Sequence, residues 1–248
     1  MAQSRSPRFR REPWSRRLMN LPAKFISRQA PQPGVFFHYP PFQTSAEEWA
    51  NGLTHAAAGV ASLLAGIWLI AIALRKGDIP MAVGCGAYSC SLLIVFTMSA
   101  LSHLVNPPRL RHLFRTFDQA AIYLLIAGSC TPFFLRFLVP HGWGWMLPVL
   151  WGLALLGAVA KLLGDRINST SIPIYVLLGW FPVLATKPFL AYMPTGGLVL
   201  IVAAGAFYMV GVLFLSRDEH HRYFHAVWHL FVIAASVCTY AGIFGYVV

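Results

Sequence analysis

The chain has 248 residues, of which 57% are hydrophobic and only 11% charged, with a net charge of +11. A soluble domain carries roughly 25% charged residues, so this composition excludes an ordinary soluble fold. Long apolar runs in place of short alternating segments exclude an outer-membrane barrel, and the chain reads as an all-α membrane protein.

Residues 1–46 form a basic head with eight Lys/Arg and no apolar core. It is not a secretory signal peptide. Pro7, Pro13, Pro22, Pro31 and Pro33 oppose the long amphipathic helix of a mitochondrial transit peptide. No nucleic-acid-binding module is recognisable in it, and nucleic acid is not an expected partner. The segment is expected to be a disordered cytoplasmic tail that touches anionic lipid.

Residues 47–248 predict a membrane domain of seven transmembrane helices. The spans fall at about 53–74, 80–104, 117–138, 143–163, 172–191, 196–215 and 224–247. The fourth carries Lys161, and the fifth carries Lys187, Pro182 and Pro188. Cys85, Cys90, Cys130 and Cys238 all lie in apolar runs and read as packing thiols, without a disulfide framework.

Charge orients the spans. Besides the eight cations of the head, the loops after spans two, four and six hold Arg109, Arg111, Arg115, Lys161, Arg166, Arg217 and Arg222. The opposite side holds Arg75, Lys76, Arg136 and Lys187. The positive-inside rule then places the N-terminus in the cytoplasm and the C-terminus outside. A bacterial inner (plasma) membrane is the expected location, with an organellar membrane the alternative.

Four polar clusters sit at span ends. They are Glu48, Asn51, Thr54 and His55 at the start of span one, Ser99 and His103 at the end of span two, Asp118 at the start of span three, and His225 with His229 at the start of span seven. Odd spans start inside and even spans end inside, so all four fall on the cytoplasmic side. Histidine is costly at membrane depth and marks a site by default.

His225 and His229 are four apart, so they share one helical face and can hold one metal ion. With His103 they offer three imidazole nitrogens, the usual protein share of a catalytic zinc site. Asp118 is a candidate general base or outer partner. It is also readable as a first-turn carboxylate complementing its helix, or as a partner for Arg115. Ser99 lies one turn before His103 and could hydrogen-bond a water or an oxyanion. Glu48, Asn51 and His55 share a face and read as packing and hydrogen-bonding support. His38, His112 and His141 read as ordinary interfacial residues. His221, four residues before His225, is a rival ligand.

These motifs resemble the hemolysin III family, within the progestin and adiponectin Q receptor superfamily. The resemblance is carried by E48-x-x-N51-x-x-T54-H55, S99-x-x-x-H103, the F117-D118 to S129 segment, G179-W180 and H225-A-V-W-H229, and it covers residue 46 to the C-terminus. It implies a seven-helix fold, zinc held by His103, His225 and His229, and Asp118 holding the zinc water. It also implies lipid amidase chemistry of the ceramidase type in some relatives, with roles in membrane homeostasis or haemolysis in bacterial ones. Gln119 departs from bacterial members, which often carry a histidine there, and leaves the three-histidine set intact.

Three readings of function follow. The first is a zinc-dependent intramembrane hydrolase of lipid amides or esters, with membrane lipid as substrate. The second is a receptor-like or regulatory protein with a structural zinc. The third is a lytic pore.

Overall fold

The computed structural model describes residues 45–164 and 171–248. The basic head before Ser45 and Arg166 lie outside the described residues. Among the described residues, seven helices are long and apolar enough to cross a membrane. They are α1 (Ser45–Arg75), α2 (Ile79–Leu104), α3 (Pro108–His141), α4 (Met146–Leu163), α5 (Ile172–Tyr192), α6 (Thr195–Leu215) and α7 (Phe224–Tyr246).

The sorting of residues is that of a membrane bundle. On α1 the buried stripe runs Asn51, His55, Gly59, Ser62, Gly66, Leu69, Ala73, at steps of three or four. Most of these are small or polar. The opposite face exposes Val60, Leu63, Leu64, Ile67 and Trp68. Small residues let backbones approach where lipid gives helices no hydrophobic reason to associate. A Cβ on Gly52 would meet Leu104, one on Gly59 Phe96 and one on Gly66 Ser89. That descending register makes α1 and α2 an antiparallel pair. The start of α1 therefore lies against the end of α2.

Two helices begin earlier than hydropathy suggests. α1 starts at Ser45 instead of near 53, and α3 at Pro108 instead of near 117. Arg109, Arg111, His112 and Arg115 interrupt the apolar run without interrupting the helix. Pro108 sits in the first turn, where its missing N–H costs nothing. Asp118 consequently lies in the third turn of α3, and its reading as a first-turn carboxylate falls away. α5 is broken, with a 3₁₀ stretch at Phe181–Ala185 between helical Ser171–Gly179 and Thr186–Tyr192. Pro182 and Pro188, which cannot donate to the helical ladder, account for the interruption. Tyr175 on α5 donates to the Gln119 carbonyl at 2.8 Å, and Trp151 on α4 donates to Thr131 on α3 at 3.0 Å. All four cysteines are free.

The α1–α2 turn is short and specific. Gly77 has φ +72, with open space around its Cβ position, and Asp78 then caps α2 by accepting from the Met81 N–H at 3.0 Å. Gly77→Ala meets no clash, so its cost is the left-handed backbone alone, about 1 kcal/mol. A lower thermal midpoint in detergent, with an unchanged elution profile, is the expected result.

Candidate metal centre

The ends of α1, α2 and α7 meet at the side bearing the basic loops. α2 presents Phe96, Ser99 and His103 on one buried face. α7 presents His225 in its first turn and His229 one turn later. One ligating nitrogen from each of His103, His225 and His229 lies within 4.8 Å of the others, so the three could hold a metal ion. Their rings stand edge-on to one another. Centroids are 5.1 Å apart for His103–His225, 5.3 Å for His103–His229 and 4.7 Å for His225–His229.

Each ring has one nitrogen already occupied. His103 Nδ1 lies 2.9 Å from Glu48 Oε2, His225 Nδ1 lies 2.7 Å from Asp218 Oδ2, and His229 Nδ1 lies 3.1 Å from the Asn51 carbonyl. A carboxylate and a carbonyl only accept, so each Nδ1 must carry the hydrogen. Each Nε2 is then a bare lone pair. No hydrogen bond engages those Nε2 atoms among the described residues. Three lone pairs close together, backed by oxygen acceptors, form the donor set of a metal–histidine site, in which the outer partner fixes tautomer and ring orientation.

Glu48 is itself held. Arg111 Nη1 lies 3.4 Å from its other oxygen, while Arg111 also donates to the Val105 carbonyl at 3.0 Å. Glu47, 4% exposed, accepts from the Tyr223 N–H at 3.1 Å and lies 3.6 Å from Arg222. These contacts tie α1 to α2, α3 and the loop before α7.

His55 is stacked on His229 with ring centroids 3.6 Å apart, and it tilts against Phe96 at 4.9 Å. Both its ring nitrogens, both polar atoms of the Asn51 amide and the Ser99 hydroxyl are buried with no hydrogen-bond partner among the described residues. Buried polar groups are normally paired, and unpaired ones call for an explanation. Asp118 is half-buried. It stands three and seven residues before Ala121 and Leu125, both buried, which puts it on the inward side of α3. It lies within electrostatic reach of Arg115, and no hydrogen bond or ion pair joins it to the three histidines.

The rival His221 is exposed and packs on Phe224, outside the cluster. His141 stacks on Tyr192. Asp218 is the residue that sequence reasoning missed. It is seven positions before His225 but precedes α7, which begins at Phe224, so helical periodicity does not link the two and only the fold of the loop brings it back.

Residues 43–240 match the profile of the family described as Haemolysin-III related. The chain belongs to that family. Hemolysin-3 of Bacillus cereus is 35% identical over 203 residues, covering 81% of this chain and 92% of that protein. The Hemolysin-3 homolog of Bacillus subtilis (strain 168) is 32% identical, covering 79% of this chain and 92% of its own length. The Monocyte to macrophage differentiation factor of Homo sapiens is 28% identical, over 93% of this chain and 94% of that protein. The haemolysin-III match contains every residue of the histidine cluster and its partners, and it leaves out nearly all of the basic head.

Proposed function

We propose that this haemolysin-III related protein is a zinc-dependent intramembrane hydrolase that cleaves an amide or ester bond of a membrane lipid. The observation that carries the reading is the set of three imidazoles, each with its Nδ1 committed to an oxygen acceptor and its Nε2 left free. Three neutral nitrogen donors suit zinc better than a harder, oxygen-preferring cation. When bound, zinc would lower the pKa of water to roughly 7 and polarise a carbonyl.

The protein's own groups divide the remaining work. Glu48, Asp218 and the Asn51 carbonyl orient the three rings. The Ser99 hydroxyl, buried and unpartnered, would donate to a substrate oxygen. Glu47, Glu48 and Asp218 are engaged with Arg222 and the two histidines. Asp118 is thus the inward carboxylate left to accept and return a proton. His103 ends α2 and His225 begins α7, a depth that suits a lipid whose polar junction lies near the cytoplasmic headgroups. The Bacillus relatives favour a bacterial plasma membrane, and the basic head would contact anionic lipid there.

A structural zinc in a receptor-like protein is the second reading, favoured by the way the cluster fastens α2 to α7. A lytic pore is weaker, because large side chains such as Tyr88, Phe134, Leu138, Met146 and Leu150 fill the interior.

Asp118→Asn separates the first two. A hydrolase should lose about 10²–10⁴-fold in turnover with its metal content unchanged, the usual share of a general base. Purified protein would be assayed against a panel of lipid amides and esters, with metal measured alongside. Zinc-loaded wild type that turns over none of them sinks the hydrolase reading and leaves the structural one.

A further inference from the structure

The three histidines are not held alike. His103 is held by Glu48 of α1, which Arg111 of α3 clamps. His229 is held by main chain of α1. Both partners belong to packed helices. His225 is held by Asp218, which lies in the loop of residues 216–223 between α6 and α7.

That loop is itself under constraint. Tyr223 adopts φ 62, the left-handed conformation, which bulky residues rarely visit. Such a conformation persists only when its surroundings over-determine it. Here the Glu47 Oε1 atom accepts from the Tyr223 N–H at 3.1 Å and lies 3.6 Å from Arg222 Nε. A buried carboxylate needs partners of this kind, and the loop supplies both. Glu47 therefore pins the loop to α1, in the shape that returns Asp218 to His225.

We infer that Asp218 is a positioning residue for His225, and that Glu47, acting through the strained Tyr223, positions Asp218. The grip of the third histidine is thereby set by a loop outside the bilayer. This rests on the metal centre proposed above, in which Asp218 touches only the ligand. Metal retention is then adjustable at the cytoplasmic surface without repacking the helices.

The test uses the full-length protein in detergent, loaded with Co²⁺ as a visible probe. Asp218→Ala should weaken Co²⁺ binding about 10–100-fold, the range typical of lost outer partners. Its visible absorption should change shape as His225 turns. Asp218→Asn, which keeps an acceptor oxygen, should fall between it and wild type. Glu47→Gln should also weaken binding. Adding Tyr223→Gly to Glu47→Gln should restore much of the loss, since glycine adopts positive φ without strain. A role confined to folding would lower thermal stability and leave the spectrum of the folded fraction unchanged. Wild-type affinity and spectrum in Asp218→Ala would overturn the inference while leaving the metal centre intact. No Co²⁺ binding by wild type would instead overturn the metal centre.

Discussion

Purified His229→Ala protein should carry background zinc, against about one equivalent in wild type. The loss of affinity should exceed about 100-fold, the upper end of what removal of an outer partner costs, because a ligand itself is gone. His229 is 1% exposed, so its removal also costs its hydrogen bond to the Asn51 carbonyl, about 1 kcal/mol since Thr54 still donates there, and takes away the ring on which His55 stacks. His225→Ala separates the two effects. His225 is half-buried and its partner is in a loop, so this variant should lose the metal with a smaller drop in melting temperature. Elemental analysis of both proteins beside wild type makes the measurement. Metal retained at the wild-type level in both would remove these residues from the site.

The largest expected effect on stability comes from a glycine. A Cβ on Gly128 of α3 would collide with Ser91 Oγ and lie 3.0 Å from the Ala87 carbonyl oxygen of α2. Ser91 can rotate, giving up its 2.8 Å hydrogen bond to the Tyr88 carbonyl. The Ala87 oxygen is main chain and moves only with its helix. Gly128→Leu must therefore push α2 and α3 apart, at about 3 kcal/mol, the upper part of the usual range for overpacking. α2 carries His103, so the variant should also bind metal more weakly. Ser91→Gly should rescue it only in part, because the carbonyl contact remains. Gly152→Leu is the control, since that glycine is exposed with nothing near its Cβ position. Thermal unfolding in detergent should show a large fall for Gly128→Leu and almost none for Gly152→Leu. Equal stability in both would contradict the close α2–α3 packing.

Much of this architecture was legible in the sequence, and the physical reasons are specific. Seven apolar runs must become seven helices, because lipid leaves backbone groups no other partner. The histidine clusters converge because span parity puts the end of span two and the start of span seven on one side. Helix starts were less legible. Hydropathy reports where the chain meets lipid, and α1 and α3 both extend into the polar layer, where Glu47, Glu48, Arg109 and Arg111 are equally helical. Asp118 was read at a helix entrance for that reason and lies about three turns past the start of α3. Asp218 was invisible because its pairing depends on a left-handed Tyr223, and aromatic residues give no sequence signal for positive φ. The role of the Asn51 main chain was equally hidden, since any residue supplies a carbonyl. Pro182 and Pro188, which stand out within the apolar run of span five, lie at and just after the 3₁₀ stretch that breaks α5.

X-ray absorption at the zinc edge on the purified full-length protein reads the three-histidine metal centre directly. The expected result is about one zinc per chain, with three imidazole nitrogens at roughly 2.0–2.1 Å and one oxygen ligand, and the imidazole scattering lost in His225→Ala with His229→Ala. A zinc shell containing sulfur, or one unchanged by removing both histidines, would contradict it.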